Sequence, residues 1–132
     1  MAPPVLTGID HVHVYVPDRE AGRQWYETVM GLRPVEDLLF WAEDGGPLVL
    51  EDPTGSVDIA LFEAERPPGT AIAFGTTADA FLAWREHLAS AGVETRLADH
   101  TVCFSLYFAD PFGNYHEITC NEYDILAARL DT

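Results

Sequence analysis

The sequence predicts an α+β fold made of two βαβββ modules. Three observations predict it. Each half opens with a strand-like segment followed by an amphipathic helix. Each helix has a polar start and a glycine stop. Each half also carries an Asp-Pro-x-Gly turn at a matching place, Asp52-Pro53-Thr54-Gly55 and Asp110-Pro111-Phe112-Gly113. Two helices with the same punctuation and two matching turns mark an internal repeat.

In the first half, Ile9-Asp10-His11-Val12-His13-Val14-Tyr15-Val16 alternates as a half-buried strand does. Pro17-Asp18 ends it, and Asp18 suits a helix N-cap. A helix to about Met30 follows, with Ala21, Trp25, Tyr26, Val29 and Met30 as its apolar stripe and Gly31 as its stop. Short strands are expected near Arg33–Val35, Leu38–Ala42, Pro47–Leu50 and Val57–Phe62. In the second half, Thr70–Gly75 is a short strand, and Thr76 with Asp79 resembles a capping box. Ala80–Ala91 is helical, with Phe81, Trp84, Leu88 and Ala91 on one side and Gly92 closing it. Strands follow near Glu94–Leu97, Cys103–Phe108 and Tyr115–Cys120.

The 132 residues are expected to form a single domain: module one over about residues 8–64, a joint at about 65–69 around Arg66-Pro67-Pro68-Gly69, module two over about 70–120, and a last helix at about 122–130.

Composition narrows the partners. There are 22 acidic residues against seven basic ones, all arginine, for a net charge of −15. Such a balance argues against nucleic acid or an anionic membrane as partner. The acids are spread along the chain, as on an acidic surface adapted to a high-salt, halophilic cytoplasm; compositional bias against lysine is the plainer account. Cys103 and Cys120 lack metal-type spacing and fit free thiols in a reducing compartment. With no signal-like or spanning segment, a cytoplasmic location is expected.

Ile9-Asp10-His11-Val12, the Pro-Asp that follows, and a helix with Trp25-Tyr26 ending in Met30-Gly31-Leu32 resemble the first module of the vicinal-oxygen-chelate superfamily. That group includes glyoxalases, bleomycin-resistance proteins and extradiol dioxygenases. Ser105–Asn114 followed by Glu117-Ile118 resembles the last hairpin of its second module, so the likeness spans about residues 8–120. It implies a half-open mixed β-barrel with a central cleft and the helices outside. It also implies metal ligands on the first and last strands of each module. Carried over position by position, these are His11 and Glu117, with Ala71 at the first-strand place of module two and Ile59 near the last-strand place of module one. Ala71 cannot ligate, and a register shift would bring in Asp58 or Glu63 instead.

Period-2 geometry places His11 and His13 on one strand face, and Tyr115, Glu117 and Thr119 on one face of the last strand. Two imidazoles and a carboxylate with open positions suit Fe, Mn or Zn chemistry on a small oxygen-bearing molecule. The third ligand is His13 or His100. His100 and Tyr107 are candidate acid–base or substrate-touching groups beside Glu117. His13, Trp41, Phe104 and Tyr115 are candidate ligand-binding residues. Trp41, Phe40, Phe62 and Phe104 line a pocket or simply fill the core. His116 is expected on the helix side or the surface, and His87 in solvent.

Two functions follow. One is a metal-dependent lyase, isomerase or ring-cleaving dioxygenase, with Arg33 or Arg96 in the cleft for an anionic substrate. The other is a metal-free protein that sequesters a small ligand, as bleomycin-resistance proteins do. Ala71 favours the second, and the net charge suits a cationic ligand. A homodimer is expected by analogy. An accessory subunit with no small ligand is a third outcome.

Overall fold

The computed structural model describes residues 3–4, 8–65 and 71–130. The expected joint at Arg66–Gly69 and the start of the second-half strand at Thr70 lie outside them.

Module one runs β1 (Val12–Val16), α1 (Arg19–Thr28), β2 (Arg33–Pro34), a 3-10 turn at Glu36–Leu38, α2 (Leu39–Glu43), β3 (Leu48–Glu51) and β4 (Asp58–Glu63). Module two runs β5 (Ala71–Thr76), α3 (Ala78–Ser90), β6 (Arg96–Asp99), β7 (Phe104–Ala109) and β8 (Tyr115–Cys120), and α4 (Tyr123–Leu130) ends the described chain. The sheets have the same order, β1-β4-β3-β2 and β5-β8-β7-β6. In each, the first strand pairs in parallel with the last and the remaining pairs are antiparallel. This is the predicted repeat: two mixed sheets, open rather than closed into a barrel.

Alternation decides the faces. Val14 and Val16 are fully buried on the helix side of β1, while His13 is exposed on the other side. α1 lies close on this sheet because Gly22 has no side chain: a Cβ there would stand 3.0 Å from Val16 Cγ2 and 3.2 Å from Leu61 Cδ2. Asp18 caps the helix by accepting from the Ala21 amide. One apolar cluster draws on both modules, including Val14, Tyr26, Leu61, Phe81, Leu106 and Ile118.

Three expectations need correction. Leu38–Ala42 is a 3-10 turn running into helix α2, not a strand. The neighbouring ladder is already taken up by β2 and β3, which pair Arg33 with Glu51 and Pro34 with Leu50. Arg19 instead gathers the segment by donating to the carbonyls of Gly46 (2.7 Å) and Ala42 (3.2 Å). The N-cap of α3 is Thr77, not Thr76, because β5 continues through Thr76 opposite Cys120. Finally, His87 does not face only solvent: its Nε2 donates across 2.7 Å to the Val29 carbonyl, an unpaired acceptor at the end of α1.

That last bond is one of several between the modules on the helix side. Tyr26 on α1 reaches Asp110 and His116, and Asn114 Nδ2 donates to the Tyr15 carbonyl at 3.0 Å. No helix of the described residues is long and apolar enough to cross a membrane.

Candidate functional site

The face of each sheet opposite its helices forms the cleft. In module one, register brings His13 beside Ala60, and Ala60 beside Val49. Asp58 pairs with Glu51 on the same face. Ile59, the position suggested by matching the two turns, is the partner of Val12 and is buried on the helix side. Asp58, one residue earlier, is the residue that faces the cleft.

Asp10, His11, Glu51 and Asp58 line a cavity of about 240 Å³ together with Trp41 and Leu38. Burial pushes the Asp58 carboxyl up, the charges of Asp10 and Asp52 add to that, and His11 opposes it. Asp10, His11 and Asp58 also border a second space of about 450 Å³, which runs along Ala71, Ala73 and Gly75 of β5. The two spaces form one cleft, with His11 at their junction.

His11 is held by its neighbours. Its Nδ1 lies 2.8 Å from Asp10 Oδ2, and its Nε2 lies 3.2 Å from His13 Nε2. The two rings stack at 5.1 Å, and His13 in turn packs on Phe62 at 4.8 Å. With the Nδ1 proton donated to Asp10, the Nε2 lone pair of His11 is turned toward His13.

In module two, Glu117 sits between Ala73 of β5 and Tyr107 of β7. Glu117 Oε2 accepts from the Thr119 hydroxyl at 2.9 Å, and Thr119 Oγ1 lies 3.2 Å from Ser105 Oγ. This pairing satisfies a carboxylate that would be costly to leave alone in a strand. Tyr107 carries two partners: its hydroxyl lies 2.9 Å from His100 Nε2, and the Arg96 guanidinium stands 4.6 Å over its ring. Glu117, Tyr107 and His100 are therefore grouped on one face. His11 and His13 form a separate group across β5. Tyr115 is 65% exposed at the edge of its face, and Trp41 walls the first cavity. Phe104 lies apart from the cleft, on the helix side opposite Cys120, stacked on Tyr123 at 4.8 Å.

Two nitrogens bound to one tetrahedral ion at about 2.1 Å stand roughly 3.4 Å apart. The His11–His13 separation is close to that. A third donor is missing: among the described residues no three His, Cys, Asp or Glu converge, and the cleft-facing positions of β5 are Ala71, Ala73 and Gly75. The set does not fit a three-donor chelate.

Sequence reasoning overlooked Glu51 and Asp10 as cleft residues, and Arg19 as the residue that seats α2. Glu51 is found only through its cross-strand pairing with Asp58. Nothing local marks Arg19, whose carbonyl partners lie 23 and 27 residues away.

The profile of the Glyoxalase/Bleomycin resistance protein/Dioxygenase superfamily matches residues 8–118. No curated protein matches the chain. Among solved structures, a glyoxalase/dioxygenase from Nostoc punctiforme superposes with a TM-score of 0.73 at 22% identity, covering 92% of this chain and 95% of that one. An integron cassette protein from the Halifax Harbour sewage outfall metagenome gives 0.75 at 22%, covering 87% and 99%. A lactoylglutathione lyase from Agrobacterium tumefaciens gives 0.68 at 21%, covering 90% and 96%. At these identities the likeness is one of fold.

Proposed function

Because the chain belongs to the glyoxalase/bleomycin resistance protein/dioxygenase superfamily, we propose that it is a small-molecule-binding protein that holds a cationic ligand in this cleft without a metal. The observation that carries this reading is the lane of Ala71, Ala73 and Gly75 between His11 and Glu117. It supplies space where a third donor would stand. The ligand class follows from the adjoining cavity. Asp10, Glu51 and Asp58 offer negative charge, and Trp41 and Leu38 offer an apolar wall. An ammonium or guanidinium group there offsets the burial and the neighbouring acidic charges that raise the Asp58 carboxyl, and stacks on the indole.

Tyr115 (65% exposed) and Phe40 (52% exposed) present apolar surface, which supports a homodimer that covers the cleft rims. The free thiols of Cys103 and Cys120 support a cytoplasmic protein. The single-domain reading rests on the core shared by both modules.

A second reading is a metal-dependent lyase, isomerase or dioxygenase. The 3.2 Å approach of His11 and His13 and the His100–Tyr107 pair beside Glu117 favour it. Two measurements separate the readings. Metal content is measured on chelator-free protein and on His11→Ala and Glu117→Ala. Binding of benzyltrimethylammonium is measured by calorimetry on the wild type and Asp58→Asn. Saturable binding weakened about tenfold in Asp58→Asn, or roughly 1.4 kcal/mol, without bound metal supports the binding protein. Near-stoichiometric iron, manganese or zinc lost in both variants overturns it in favour of the enzyme.

A further inference from the structure

A third cavity of about 200 Å³ lies at the seam between the modules, behind the cleft. Its walls come from both halves: Met30 and Leu32 after α1, Phe74 of β5, Trp84 of α3 and Ile118 of β8. Met30, Leu32 and Ile118 are buried members of the core, so the chamber has an apolar floor, while its mouth lies beside the exposed Ser56 and Gly75.

Asp52 and Ser56 border it, and the turn they belong to already uses their polar groups. Asp52 Oδ1 accepts from the Val57 amide at 3.0 Å, and Asp52 Oδ2 accepts from the Thr54 hydroxyl at 2.6 Å. Ser56 Oγ lies 2.7 Å from Thr54 Oγ1. These groups serve the Asp52–Ser56 turn and leave little for a water to bind. Apolar cavities of about 150 Å³ stay dry and admit a ring the size of benzene.

The chamber adjoins the cleft. Ser56, Val57, Phe74 and Gly75 border both spaces. Gly75 is the passage: a Cβ built there meets nothing within 4 Å, so the missing side chain leaves open room. We propose that this chamber binds one small aromatic ring, the apolar end of a ligand whose polar end lies in the cleft, with entry past Gly75. The place of the polar end and the route of entry rest on the reading of the cleft as a ligand site; the ring site itself does not.

Met30 makes the test direct, because the chain has two methionines, Met1 and Met30. Protein labelled with ¹³C at the methionine methyls is titrated with toluene, a bare ring with no charged group. The Met30 signal is expected to shift saturably in the wild type and in Gly75→Ala, whose added methyl has room. In Gly75→Leu, which fills the passage, apparent affinity is expected to fall by about tenfold or more. Thermal melting of both variants verifies that they fold. A Met30 signal that toluene leaves in place, or moves equally in Gly75→Leu, overturns the proposal. Because toluene has no cationic group, the outcome is independent of whether the cleft binds cations or a metal.

Discussion

The Tyr26 hydroxyl, on the helix of module one, donates across 2.6 Å to Asp110 Oδ2 in the last turn of module two. The same phenol oxygen lies 2.9 Å from His116 Nε2. Since the Tyr26 hydroxyl proton points to Asp110, His116 Nε2–H is the donor to Tyr26. Burial and the Asp110 charge push the Tyr26 hydroxyl pKa up, so the phenol stays protonated. Asp110 also accepts from the amides of Phe112 and Asn114 and from Asn114 Nδ2, so one carboxylate shapes the turn and ties the modules together.

Tyr26→Phe is expected to lower stability by about 1–3 kcal/mol, since it strips a partner from two buried groups at once. Chemical denaturation measures this. A midpoint unchanged from wild type would mean that the Tyr26 hydroxyl contributes nothing to holding the modules together.

The same network predicts a pH dependence. Burial lowers the His116 pKa to about 4, with Asp110 opposing the shift. The folded value lies below the unfolded one, so the unfolded chain takes up the proton first. The stability contributed is complete above the unfolded pKa of about 6.5 and is lost as pH falls toward about 4, amounting to about 3 kcal/mol. His116→Gln is expected to flatten that slope. An equally steep loss of stability in the variant would assign the acid response to other groups.

Arg19 is expected to hold α2 in place. Arg19→Ala removes both donors to the Ala42 and Gly46 carbonyls. Amide exchange is expected to rise across residues 36–46 while β7 and β8 stay protected, because surface elements open locally when their few anchors go. A uniform rise across the chain, or none, would contradict this. Benzyltrimethylammonium binding should weaken with it, since Trp41 rides on α2.

Ala71→His tests what β5 lacks. The substitution sets an imidazole between His11 and Glu117 on the cleft-bordering strand. Zinc binding is expected to appear near one ion per chain and to vanish when His11→Ala is added. Failure to bind zinc would mean that the two faces stand too far apart for one ion.

The repeat was legible in the sequence because its signals are local. Alternation in Ile9–Val16 follows from the opposed faces of a strand, and the Asp18 start and Gly31 stop follow from the unpaired groups at helix ends. The Asp-Pro-x-Gly turns carry their own conformational preference, and Gly55 and Gly113 adopt positive φ as such turns require. The shared face of Tyr115, Glu117 and Thr119 was legible for the same reason, since period 2 sets the face.

Other features depended on contacts distant in sequence. Leu38–Ala42 has strand-like residues, yet it coils into α2, where Arg19 reaches the Ala42 and Gly46 carbonyls. Asp58 rather than Ile59 faces the cleft because the register of β4 against β1 is decided by burying Ile59 and Leu61 under α1, not by the turn. Tyr26 read as part of an apolar stripe, but its hydroxyl reaches a carboxylate 84 residues away. The sequence alone determined the repeat, the order of its paired strands and main helices, and their faces, because those are set by neighbours within a few residues. Only the tertiary structure decided which carboxylates share the cleft, which polar groups are buried together and where space is left between the modules, because each depends on packing between segments far apart in the chain.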